Sequence, residues 1–110
     1  MVEKKHRLKL GRIKISGFDR VFRGEFLEVK KRPNGLNYAR FGVLASRRVF
    51  SEATKRNLLR RRVFGFLNRH RSDWGKGAGF DWLVIFLTSA KGMFNNRKAL
   101  DKELNYVLYL

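Results

Sequence analysis

The feature that most constrains this chain is a change of hydrophobic period inside one basic run, residues 46–62, SRRVFSEATKRNLLRRR. Ahead of it, Phe41, Val43 and Ala45 alternate to one side, which predicts a strand over residues 38–47. Beyond it, Leu59, Val63, Phe66, Leu67 and His70 recur at i, i+4, i+7, i+8 and i+11. That spacing predicts a helix over residues 52–71 with one stripe against a core. Asn57, Arg60, Arg61, Phe64 and Asn68 then fall on the opposite face. Guanidinium groups and amides beside an aromatic ring are what a protein presents to folded RNA, and the plainer alternative is a solvated charged face.

The charge narrows the partner. The chain of 110 residues carries 26 Lys+Arg against 9 Asp+Glu, a net of +17. Residues 1–71 hold +16 of that net and residues 72–110 only +1, so the field is expected on one part of the surface. Such a field attracts polyanions, with counterion release for each phosphate neutralised. A membrane partner is disfavoured, because no segment approaches the roughly 18 apolar residues of a span. With 44% hydrophobic residues and ten Phe, one modest core is affordable, hence a single domain over residues 15–110 behind a basic arm, residues 1–14. The absence of cysteine and of an apolar signal region leads to the expectation of a cytoplasmic protein without disulfides or a zinc finger.

The arm (Lys4, Lys5, Arg7, Lys9, Arg12, Lys14) is expected to be mobile until it meets a partner. Ser16 is a cap for a predicted short helix over residues 17–23, in which Phe18, Val21 and Phe22 sit at i, i+3, i+4. Residues 25–31 read as an edge-like strand, and Pro33-Asn34-Gly35 is a turn signal. Gly75, Gly77 and Gly79 read as a linker, since no phosphate-loop pattern accompanies them. Residues 80–87, FDWLVIFL, predict a strand buried on both faces and central in a sheet. Asn95 or Asn96 then caps a final helix with Leu100, Leu104, Val107 and Leu108 inward. The residues alone give helix, strand, strand, helix, strand, helix: a sheet with helices packed on it.

The ordered set Phe18-Asp19-Arg20-Val21-Phe22, Ser46-Arg47-Arg48 and Arg56-Asn57-Leu58-Leu59-Arg60-Arg61, followed by an apolar strand and Glu103-Leu104, resembles the protein subunit of bacterial ribonuclease P. The resemblance covers nearly the whole chain past the arm. It implies an α+β domain in α-β-β-β-α-β-α order, with a mixed four-stranded sheet and a left-handed β-α-β crossover around the basic helix. It implies binding to ribonuclease P RNA and to the 5′ leader of precursor tRNA, with Mg2+ held mainly by the RNA and no obligate protein partner. Carried over by position, Arg56, Asn57, Arg60 and Arg61 form the surface toward the catalytic RNA. Phe18 and Phe22 line a leader cleft joined by Arg47 and Arg48, and Phe64 is a further stacking candidate. Departures from the family pattern are Leu58, Phe64, Phe50, Val29 and a shortened segment before Pro33, which implies a trimmed or absent first hairpin.

A protein-based ribonuclease needs paired acid and base groups or clustered carboxylates for metals. His6 falls in the arm and His70 on the packed side of the helix, while Glu25/Glu28 and Asp101/Glu103 are scattered. The residues thus show no protein active site, and the resemblance implies an RNA-based endoribonuclease whose protein does not itself cut. Two other classes stand beside that reading. A structural, ribosomal-type RNA-binding protein would lack a groove shared by the first helix and the basic helix. A DNA-binding regulator is disfavoured by the lack of helix-turn-helix spacing.

Overall fold

The structure is a computed structural model that describes residues 3–8, 17–93 and 96–108. Six main elements follow in order: β1 (Asp19–Arg23), β2 (Leu27–Pro33), β3 (Arg40–Leu44), α1 (Ala53–Arg69), β4 (Phe80–Phe86) and α2 (Arg97–Leu108). Short 3₁₀ turns lie at Lys4–His6, Arg71–Gly77 and Thr88–Met93. The four strands form one mixed sheet in the order β1-β2-β4-β3. β4 pairs antiparallel with β2 and parallel with β3, and the β3-to-β4 connection runs through α1. The α+β class and the four-stranded sheet are as expected, and β4 is indeed internal.

The first predicted helix is not there. Residues 19–23 form β1, antiparallel to β2, with a register shift between Arg20 and Phe22. The i, i+3, i+4 spacing of Phe18, Val21 and Phe22 is ambiguous over so short a stretch, and a bulged strand satisfies it as well as a helix turn does. Pairing with β2 settles it. β2, expected at an edge, is consequently internal. Its Leu27 and Val29 are buried with Val84 and Phe86 of β4.

Pleating sorts the sheet into two faces. On one, Leu27, Val29, Phe41, Val43, Val84 and Phe86 meet Leu59, Val63, Phe66 and Leu67 of α1 and Leu100 and Leu104 of α2. On the other, Leu83 packs with Phe18 and Leu8. Leu59, Val63, Phe66 and Leu67 of the predicted α1 stripe are buried, while His70, the fifth, is half-buried at the C-cap because the helix ends at Arg69. Asn96 Oδ1 accepts from Ala99 N at 3.2 Å as the α2 cap. The side chains of Val107 and Leu108 lie outside what is described. Asn34 and Gly35 make the predicted turn, with Gly35 at φ 69° and Leu36 N donating to Asn34 Oδ1 at 2.8 Å.

Both ends of the chain fasten the sheet. Residues 3–8, part of the arm expected to be mobile, lie along the β3 edge. Leu8 N donates to Phe41 O at 2.7 Å, His6 Nδ1 lies 2.7 Å from Ala39 O, and Glu3 pairs with Arg71 at 3.2 Å. His6 also stands edge-on to Tyr38 and Trp74, and Trp74 is buried against Phe41. At the other edge, Glu103 of α2 accepts the Phe26 N–H with both oxygens, at 3.2 and 3.1 Å. A side chain at Gly24 would meet that carboxylate and displace it from the Phe26 amide, so glycine there keeps the contact.

Candidate RNA interface

α1 places the basic motif through its burial pattern. With Leu59 and Val63 fully buried, Asn57 and Arg61 are turned outward and Arg60 lies half-buried at the shoulder. Arg60 Nη1 donates to Asn57 Oδ1 at 2.8 Å, which orients the guanidinium along the helix surface. Arg47 and Arg48 are exposed in the turn between β3 and α1, at the same end of the molecule as the start of the helix. The first turn of α1 has no acid. Glu52 at the N-cap, 3.4 Å from Lys55 Nζ, is the acid at the helix start, so the arginines add to a positive end it only partly offsets. Arg47 and Arg48 thus lie between the end of β3 and the helix that carries Asn57, Arg60 and Arg61.

Arg56 does something else. Its Nη1 donates to Phe50 O at 2.9 Å and to Ser51 O at 2.7 Å, fastening the approach to the helix. Glu52, the residue before the helix, provides no side-chain cap, and Arg56 holds the entering backbone from within α1. Its guanidinium is thus a fold-holding group at the base of the motif.

Phe64 is half-buried and packs against the core rim. The Arg7 guanidinium lies 5.2 Å from its ring centroid, so the stacking candidate already carries a cation.

The four residues expected to line one cleft are not brought together. Phe18 is buried on the sheet face away from the helices, with the Arg32 guanidinium 4.4 Å from its ring. Phe22 is on the helix face, 5.4 Å from the Tyr106 ring. Arg47 and Arg48 follow β3, at the edge opposite β1, three strand spacings or roughly 14 Å away. With β1 in place of a first helix, no groove between that helix and the sheet exists in the described residues.

The sheet face away from the helices supplies what the sequence reading missed. It carries Arg20, Arg23, Lys30, Arg32 and Arg40 around two carboxylates. Glu28 has Arg23, Lys30 and Arg20 at 3.4, 3.6 and 3.7 Å. Fully buried Asp81 receives Arg40 Nε at 2.7 Å and Arg40 Nη2 at 2.8 Å, Asn34 Nδ2 at 3.1 Å, and Arg32 Nε at 3.5 Å. Burial pushes the Asp81 pKa up. The hydrogen bonds from Arg40 and Asn34 and the charges of Arg40 and Arg32 outweigh it, holding the carboxyl below its ordinary range. The alternation Glu28, Lys30, Arg32 in β2 was the available signal, since every second residue there is charged while Leu27 and Val29 are apolar.

Among the described residues, no three His, Cys, Asp or Glu side chains gather as a metal site. The oxygens of Glu28 and Asp81 face cations and so do not suit a magnesium ion. His70 stacks on Phe66 at 4.3 Å. Among the described residues no helix is long and apolar enough to cross a membrane.

Comparison with known proteins gives a consistent result. A family model described as Ribonuclease P matches residues 3–109. The ribonuclease P protein components of Thermotoga maritima and of Thermotoga sp. strain RQ2 are each 41% identical over 61 residues. That stretch is 56% of this chain and 50% of either relative, so the match spans half their length. The solved RNase P protein of T. maritima superposes with a TM-score of 0.80 at 27% identity, covering 93% of this chain and 94% of that one. The Staphylococcus aureus RNase P protein shares the fold, with a TM-score of 0.78 at 23% identity over 94% of this chain and 93% of the other.

Proposed function

The chain belongs to the ribonuclease P protein family, and from that premise we propose that it is the protein subunit of a tRNA-processing ribonucleoprotein. In this reading it docks on a ribonuclease P RNA and helps hold precursor tRNA while the 5′ leader is removed. The observation that carries the reading is the α1 surface: Asn57, Arg60 and Arg61 beside Arg47 and Arg48, with no acid in the first turn of the helix. Cations in that arrangement bind phosphates and offset the repulsion between two RNAs. Bond breaking, and the magnesium it uses, are assigned to the RNA, because the buried carboxylates of this chain are taken up by arginine and lysine.

The leader is assigned to the sheet face with Arg20, Arg23, Lys30 and Arg32. A single strand there meets guanidiniums along its backbone, with Arg32 held over the buried Phe18 ring. Phe22, packed toward α2, is left as a supporting residue.

Reconstitution tests the function. Nuclease-free protein alone should leave precursor tRNA intact, and adding it to a ribonuclease P RNA at low magnesium should restore leader removal. Efficient cleavage by the protein without RNA, or no gain on adding it, overturns the reading.

A further inference from the structure

α1 and α2 flank a shallow, open notch of about 360 Å3 on the shoulder of α1 away from Phe64 and the arm. Its walls are Arg69 and His70 from the end of α1, and Lys98, Lys102 and Asn105 from α2. Its floor includes the Phe66 ring, on which the His70 imidazole stacks. The one acid, Asp101, lies 3.7 Å from Arg69 Nη2, which leaves the notch at +2 with His70 neutral.

Helix stability accounts for only one of these three cations. Arg69 stands at the C-terminal end of α1, where positive charge complements the helix dipole. Lys98 is in the first turn of α2, where a cation works against the dipole, and that turn has no acid to compensate. Lys98 and Lys102, one turn apart, are both exposed and make no ion pair with a described residue. The notch also stands where the charge count along the chain anticipated little, since residues 72–110 net only +1. Folding brings two of their lysines beside the end of the basic helix.

We propose that this notch is a second phosphodiester-docking site, held by Lys98, Lys102 and Arg69, which extends the RNA contact across the back of α1 to α2. Arg61 and Arg69 are eight residues apart, roughly 12 Å along the helix axis, so one folded RNA lying on α1 reaches both ends. The inference rests on the RNA-binding reading above.

The test is binding of the full chain to a ribonuclease P RNA across a salt series, with folding of every variant checked by thermal melt. Lys98→Gln with Lys102→Gln should weaken binding roughly tenfold near physiological salt and reduce the salt slope by about 1.4 to 1.8. The charge-matched pair Lys4→Gln with Lys91→Gln should change affinity by less than about threefold. In acetylation footprinting, Lys98 and Lys102 should be protected by the RNA while Lys91 stays reactive. If the wild type binds, Arg60→Ala with Arg61→Ala loses affinity, and the Lys98/Lys102 pair behaves like its charge control, the notch is not a site. If the wild type fails to bind the RNA, or the Arg60/Arg61 pair costs nothing, the RNA-binding reading falls and the notch with it.

Discussion

Asp81 is the side chain with the most at stake in a single substitution. It is fully buried, yet its partner Arg40 keeps about a third of its side chain in solvent. Replacing Asp81 therefore strands no fully buried charge, and the cost is that of charge-assisted hydrogen bonds, about 1–3 kcal/mol, rather than that of a broken interior pair. Asp81→Asn should lower stability by that amount at pH 7 in urea unfolding. The carboxyl is depressed in the fold, so its contribution is complete above the unfolded value of about 3.9 and disappears as pH falls through the folded value. Wild type should lose stability in that acid window and Asp81→Asn should lose less. Glu103 has the opposite sign: burial raises its pKa, against the pull of the Phe26 and Glu25 amides, so its contribution grows as pH falls through the raised value. Neither role was legible in the sequence. Asp81 reads there as one acid in an apolar strand, and its partners lie 41 to 49 residues away.

At the level of elements, α1 and β4 were readable because each has a long, unambiguous pattern. The α1 stripe Leu59, Val63, Phe66, Leu67 has one solution, and the short apolar run of β4 is settled as a strand by its length and its Val, Ile and aromatic content. β1 was not, because five residues with an adjacent Val21-Phe22 pair fit either period, and pairing with β2 chose between them. The same distinction divides the arginines of α1. Arg56 spends its hydrogen bonds on the backbone before the helix, whereas Arg61 is exposed. Arg56→Ala should lower stability by about 1.5–3 kcal/mol, read by chemical unfolding, as loss of hydrogen bonds from a charged group does. Arg61→Ala should leave the melt within about 0.5 kcal/mol of wild type and weaken ribonuclease P RNA binding by about 1–3 kcal/mol. Equal loss of stability in both would remove the division of labour between them.

For the molecule as a whole, the positive charge is spread over more than one surface. The back of α1 and the sheet face away from the helices are separate cationic regions, and only the first was visible as a motif. The second depends on β1 and β4 flanking β2, a long-range arrangement that local spacing does not encode. This predicts separable defects. Phe18→Leu, kept only if its melt matches wild type, removes the ring that holds the Arg32 guanidinium and should weaken precursor tRNA carrying a leader by about 1 kcal/mol. Binding of leaderless tRNA and of the catalytic RNA alone should stay within about 0.5 kcal/mol of wild type. Equal loss for all three ligands would mean that Phe18 serves the fold and not the leader.

The carboxylate that closes the β1–β2 turn belongs to the last helix, 77 residues after the amide it accepts. At about 5–20 residues per second, a ribosome makes Glu103 roughly 4–15 seconds after Phe26. For that interval the earliest hairpin has water where its acceptor will be, and for most of it β2 lacks β4 as well. The nascent chain thus carries an unfinished, strongly cationic sheet edge through most of its synthesis, in a setting crowded with RNA.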